Sequence, residues 1–228
     1  MDDLLRRLRP CHSPEELIGL HQTEPWLLEL AAEPRLLDLI EAQVGPDVVL
    51  WSTHLLCKPP RTGTEVPWHQ DAPYWNVTGP LAGAVWIPLD DIDEDNGAMA
   101  ILPGWHDKGV LPRRTQDGKF FSQEIDPSAL PADVAARQVR YALRAGQMAI
   151  HDTMIPHTSV PNRSARWRRV IILRYMAAAG GMGEKDYVHP ISGEAFARQY
   201  WLMRGRDVQH RGLKRLADAG GIVARSRR

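Results

Sequence analysis

Between Val48 and Tyr175 the chain runs as short stretches of β-branched, aromatic and aliphatic residues, each closed by Gly, Pro, Asn or Asp, with no helical period between them. Val48–Cys57 ends at Pro59-Pro60, and Ala84–Leu89 is a second stretch. Ala98–Leu102 stops at Pro103-Gly104, Gln147–His151 follows Gly146, and Arg169–Tyr175 is the last clear strand. Strands in such a series pair with antiparallel neighbours as a sandwich or barrel, because a parallel sheet needs a helix after each strand. The expected fold class is therefore mainly β with flanking helices.

Helices are expected at both ends. Ser13-Pro14-Glu15-Glu16 is a helix start signal, with a hydroxyl cap, proline at the first helical position, and acids facing the positive helix end. Leucines from Leu27 to Leu39 and Ile40 then recur at helical spacing, Pro34 separates two helices, and Gly45-Pro46 ends the second. A single domain of 228 residues follows, with residues 1–46 helical, 47–178 a β core, and 179–228 a C-terminal helical segment with the basic tail Arg225–Arg228. The polar stretch Pro112–Ala136 is expected to be a long loop over one face.

Charge and cysteine content narrow the function classes. Twenty-eight basic residues balance 28 acidic ones, so the excess that a general nucleic-acid binder needs to displace counterions is missing. Cys11 and Cys57 are too few for a disulfide framework and lack metal-knuckle spacing. No apolar run reaches the roughly 18 residues of a membrane span, and the charged Met1–Arg7 is not followed by an apolar signal core. A cytoplasmic protein acting on a small molecule, with neither nucleic acid nor membrane as partner, is the expectation.

Three segments carry chemistry. In Pro67-Trp68-His69-Gln70-Asp71, His69 and Asp71 are two apart, and on an extended strand residues i and i+2 project from one face. Ile155-Pro156-His157-Thr158-Ser159 supplies a second imidazole from a later strand. Two imidazoles and a carboxylate make the facial triad of non-haem Fe(II) oxygenases, whose open positions accept a bidentate 2-oxo acid and O2. Arg168, eleven residues beyond His157, suits the distal carboxylate of a 2-oxo diacid, because its planar fork makes two parallel hydrogen bonds. A His-x-Asp tripeptide alone is more often a surface turn than a ligand pair; the order and spacing of all three segments give it weight.

Together these residues resemble the phytanoyl-CoA dioxygenase family. The resemblance rests on Lys58–Asp71, on Trp86–Gly97 with its Trp-Ile-Pro-Leu-Asp-Asp start, on Leu102–His106, and on His157–Ser164 followed by Arg168. It implies a double-stranded β-helix (jelly-roll, cupin-like) core and an oxygenase that couples decarboxylation of 2-oxoglutarate to oxidation of a second substrate, using Fe(II) and O2. By the same resemblance His69, Asp71 and His157 match the iron ligands and Arg168 the partner of the distal carboxylate. Lys58, Trp86 and Ser159 match positions lining the co-substrate pocket. Halogenating relatives have a small residue in place of Asp71, so the carboxylate argues for oxygenation, most simply hydroxylation of an unactivated C–H.

The chain also departs from the family. His-Thr-Ser replaces the commoner His-Gly-Ser, so Thr158 needs room for a side chain. Family members usually carry a strand ahead of the helices, whereas here helices are expected almost from Met1. For substrate contacts, Tyr74 and Trp75 are candidates for an apolar wall or for packing beneath the 112–136 stretch. His54 and Arg174 share strand parity with Lys58 and Arg168, so both are candidates for the interior, and a second interior arginine would suit an anionic substrate. His106 and His151 are expected to be structural. A cupin-like metal enzyme without 2-oxoglutarate, or a non-catalytic jelly-roll binding module, are the alternatives; Arg168 and Lys58 speak against the first, and the intact ligand set against the second.

Overall fold

The computed structural model describes residues 17–61, 63–75, 77–79, 81–115, 123–184, 186–188 and 195–219. The Ser13 start signal, Cys11 and the basic tail lie outside the described residues.

In chain order, β1 (Leu17–Ile18) is followed by α1 (Pro25–Ala31) and α2 (Pro34–Val44). Each helix opens with proline at its first position, where the missing N–H is no loss, and Gly45 at φ 86° stops the second. Leu27, Leu28, Leu36, Leu37 and Ile40 are buried. The strands β2 (Val48–Lys58), β3 (Val66–His69), β4 (Val77–Thr78), β5 (Leu81–Pro88) and β6 (Met99–Ile101) come next. They are followed by β7 (Arg113–Thr115), β8 (Gln123–Ile125), β9 (Val139–Arg140), β10 (Ala149–His151), β11 (His157–Ser159) and β12 (Arg168–Ala177). The last are β13 (Gly181–Met182), β14 (Asp186–Val188), β15 (Ala195–Ala197) and β16 (Trp201–Arg204). One sheet has the order β1-β2-β12-β5-β10 with β16 also on β2, and another has β3-β11-β6-β9.

The chain divides into two compact units. One takes the described residues within Met1–Leu56, Asn76–Val85 and Ile171–Arg228; the other takes Cys57–Trp75 and Trp86–Val170. In the first, the Tyr175 hydroxyl donates to the Ala31 carbonyl at 2.8 Å and fastens the end of α1 to β12. In the second, β11 pairs antiparallel with β3 on one side and β6 on the other, and β7 and β8 form a hairpin with Arg113 opposite Ile125.

Three expectations are corrected. A strand does precede the helices: Leu17 and Ile18 pair with Leu55 and His54 of β2. The segment 179–228 is not helical where it is described; it forms β13–β16 and ends in a single 3-10 turn, Leu216–Ala219. Its Leu, Met and Arg residues favour helix, but pairing Trp201 with Leu50 and Leu202 with Val49 buries both side chains on β2, and tertiary burial overrides local preference. The 112–136 stretch contains the β7–β8 hairpin rather than only loop, with the Arg114–Glu124 ion pair across it at 2.6 Å.

Candidate metal centre

β3 and β11 lie side by side with His157 directly opposite His69, so the two imidazole centroids lie 4.0 Å apart with the rings tilted by 49°. Asp71 follows β3 as the chain turns away, its amide donating to the Thr153 carbonyl at 3.0 Å. One carboxylate oxygen of Asp71 lies 3.7 Å from Nε2 of His69 and 4.0 Å from Nε2 of His157. Each of the three residues offers a ligand atom, all within 4.8 Å of one another. Both histidines are buried, while the Asp71 side chain is 13% exposed.

The tautomers are fixed locally. Nδ1 of His69 lies 2.9 Å from the Pro67 carbonyl, and Nδ1 of His157 lies 3.0 Å from the Ile155 carbonyl. A carbonyl only accepts, so each Nδ1 donates to it, and Nε2, the nitrogen on the Asp71 side, is the one placed to ligate a metal. Backbone oxygens thus orient both imidazoles as metal ligands. With two neutral nitrogens and one carboxylate oxygen, the donor set fits a divalent iron.

Gln70, between two of these residues, was not singled out by sequence reasoning. It is 1% exposed and its amide is used three times. Nε2 donates to Gly109 O at 2.9 Å and Met154 O at 2.7 Å, and Oε1 accepts from the Leu111 amide at 2.8 Å. One side chain therefore ties the His69–Asp71 segment to the turn before His157 and to the root of the β7–β8 hairpin.

Arg168 begins the strand after the turn that follows β11. Asn162 holds that turn, donating to the carbonyls of Lys58 (3.0 Å) and Arg166 (2.7 Å). Arg168 is 0% exposed, and among the described residues Nε, Nη1 and Nη2 have no hydrogen-bond partner. Its guanidinium lies over the Trp86 ring, 5.1 Å from the centroid, and Trp86 Nε1 is likewise buried without a partner. Burial lowers the guanidinium to about 10, which leaves it charged at neutral pH. Every orphaned atom here is a donor, and a carboxylate is an acceptor only, so the pocket fits a carboxylate.

The other expected co-substrate residues are in the same unit. Lys58 is buried, with Nζ donating to the Ser159 carbonyl at 3.2 Å and the Val160 carbonyl at 2.6 Å. Ser159 is buried at the end of β11. Two further rings, Tyr141, missed in the sequence, and His151, expected to be structural, connect the His69–Asp71–His157 cluster to Trp86. His151 lies 5.4 Å from His157, Tyr141 5.9 Å from His151, and Trp86 5.7 Å from Tyr141. Burial raises the Tyr141 phenol to about 12, so it is neutral at physiological pH. His106, by contrast, is exposed.

The expected substrate contacts separate into two groups. Tyr74 and Trp75 are half-buried beside the ligand pair, and Tyr74 engages the hairpin: its hydroxyl donates to Gln123 O at 3.3 Å and Arg113 lies over its ring at 5.4 Å. His54 and Arg174 belong to the other unit, where both are buried and Nη1 of Arg174 donates to Nδ1 of His54 at 3.3 Å.

Residues 15–170 match the phytanoyl-CoA dioxygenase (PhyH) family. A probable alpha-ketoglutarate-dependent hypophosphite dioxygenase of Stutzerimonas stutzeri is 32% identical over 152 residues, covering 65% of this chain and 52% of that protein. An L-proline trans-4-hydroxylase of Streptomyces griseoviridis is 26% identical, covering 75% of this chain and 67% of that one. The chain thus spans about half the length of the first of these relatives. Among solved structures, the non-haem monooxygenase ThoJ in its apo form superposes with a TM-score of 0.73 at 26% identity, over 99% of this chain and 85% of that one. The fold is the expected double-stranded β-helix of cupin-like oxygenases.

Proposed function

The chain belongs to the phytanoyl-CoA dioxygenase family, and from that premise we propose that it is a non-haem Fe(II)- and 2-oxoglutarate-dependent dioxygenase hydroxylating an unactivated C–H of a small molecule, with release of succinate and CO2. The observation that carries the proposal is the pairing of an oriented His-Asp-His set with a buried guanidinium that no described residue hydrogen-bonds, in one unit. A cupin-like hydrolase or isomerase would need the first but leaves the second unexplained.

Iron with bound 2-oxoglutarate supplies the oxidising chemistry, and O2 is the third reactant. The protein's own residues bind and orient. His69, Asp71 and His157 hold the metal by three ligands, leaving positions open for co-substrate and O2. Arg168 neutralises and orients the distal carboxylate of 2-oxoglutarate, with Trp86, Lys58 and Ser159 around it. A carboxylate at Asp71 rather than a small residue supports oxygenation over halogenation. The enzyme is read as cytoplasmic; no helix among the described residues is long and apolar enough to cross a membrane.

The substrate is read as a secondary-metabolite, amino-acid-like or acyl compound, in line with the small molecules named for its relatives. Tyr74 and Trp75, in the same unit as His69, Asp71 and His157, are the proposed apolar contacts.

The proposal itself is tested by anaerobic addition of Fe(II) and then 2-oxoglutarate to the apo-protein, watching for the visible metal-to-ligand charge-transfer band. The band should appear, and substrates can then be screened by succinate release. Folded, iron-loaded protein that shows no band would return the reading to a metal enzyme of another kind or a binding module.

A further inference from the structure

The pairing of β3 with β11 is irregular at one place. Ser159 lies opposite Val66, yet His157 lies opposite His69. Between these pairs β11 has one residue, Thr158, and β3 has two, Pro67 and Trp68. On its other edge β11 is regular, with His157, Thr158 and Ser159 opposite Ile101, Ala100 and Met99. The extra residue therefore belongs to β3, as a bulge. Its cause is legible in Pro67, which has no N–H to give to the ladder.

Continued regular pairing from Ser159 and Val66 would set Thr158 opposite Pro67 and His157 opposite Trp68. Side chains alternate along a strand, so His69 would then project from the face opposite to His157. The one-residue bulge brings His69 onto the face of His157, and Asp71 meets them from the turn after β3. The Pro67 carbonyl, within the bulge, lies 2.9 Å from Nδ1 of His69. Inside the bulge the buried Thr158 hydroxyl donates to the Val66 carbonyl at 2.7 Å, fastening β11 to the bulged strand.

We propose that the Thr158 hydroxyl is a positioning group that locks this bulge and so sets the register of the metal centre. The inference rests on reading His69, Asp71 and His157 as that centre.

The test is Co(II) binding to the apo-protein, followed anaerobically by visible absorption, in wild type, Thr158→Val and Thr158→Ser, with apo-protein melting measured beside it. Valine keeps the shape and removes the hydroxyl; serine keeps the hydroxyl. Thr158→Val is expected to bind Co(II) about tenfold more weakly, the scale of one lost buried hydrogen bond, while Thr158→Ser stays within about twofold of wild type. Wild-type affinity in Thr158→Val overturns the proposal, as does equal weakening in Thr158→Ser. If Thr158→Val does not fold, Thr158→Gly, which adds no bulk, decides by the same comparison. Failure of the wild type itself to bind Co(II) overturns the metal-centre reading and this inference with it, a result separable from any behaviour of the variants.

Discussion

Replacing Arg168 with leucine is expected to raise the 2-oxoglutarate concentration for half-saturation by about two to three orders of magnitude, without weakening the apo-protein. The affinity loss follows from removing a bidentate, charge-assisted partner of a carboxylate in a site without bulk water. The stability effect has the opposite sign from most core substitutions. Arg168 is wholly buried, its three nitrogens have no hydrogen-bond partner among the described residues, and burial lowers its pKa to about 10, so it stays charged. A buried charge without a counter-ion costs several kcal/mol, and leucine removes that cost while leaving only a modest void. Apo-protein melting should therefore hold or rise in Arg168→Leu, and the stabilisation that 2-oxoglutarate gives the wild type should vanish. Arg168→Lys should fall between, because an ammonium keeps the charge and loses the fork. Titration of the charge-transfer band and thermal melting with and without 2-oxoglutarate check both halves. Wild-type affinity in Arg168→Leu would leave the buried guanidinium needing another anion.

How far the sequence revealed this site depends on what local pattern can encode. The long strands around Val48–Lys58 and Arg168–Ala177 announce themselves, because strands buried on both faces need continuous apolar and β-branched runs. The approach of His69, Asp71 and His157 was legible in the order of the two motifs, although Asp71 reaches it from a turn and not from an extended segment. The reason that His69 faces His157 was not legible: a bulge is a relation between two strands, and only Pro67 hints at it. Gln70 was passed over although it sits inside the motif, since its three partners are Gly109, Leu111 and Met154, all distant in sequence. Tyr141 and His151 carry no local signal; their place follows from which rings the sheets bring beside Trp86 and His157. The C-terminal strands were misread for a related reason. Trp201 and Leu202 become strand because the edge of β2 is there to receive them.

Loss of one metal ligand should be the most damaging change of all. In His157→Ala the charge-transfer band and succinate release are expected to disappear, with metal affinity reduced by more than about a hundredfold, since even outer partners of ligands are worth 10–100-fold. The fold should survive. His157 makes its Nδ1 hydrogen bond to Ile155, two residues back in its own segment, so truncation removes a local contact and leaves a void costing on the order of 1–3 kcal/mol. The pairing of β11 with β3 and β6, the Thr158–Val66 bond and the three bonds of Gln70 all remain. Asp71→Ala should be equally inactive for a different reason. Its carboxylate is the one anionic group in the triad, facing both Nε2 atoms at 3.7 and 4.0 Å, so its removal leaves a divalent ion two neutral ligands and no compensating charge. Asp71→Asn separates charge from shape: it keeps an oxygen there and should recover a small part of the affinity. Metal titration followed by succinate assay distinguishes these cases from misfolding, because circular dichroism of each apo-variant should match the wild type. A His157→Ala protein that still bound iron at wild-type affinity and released succinate would place the catalytic metal elsewhere in the molecule.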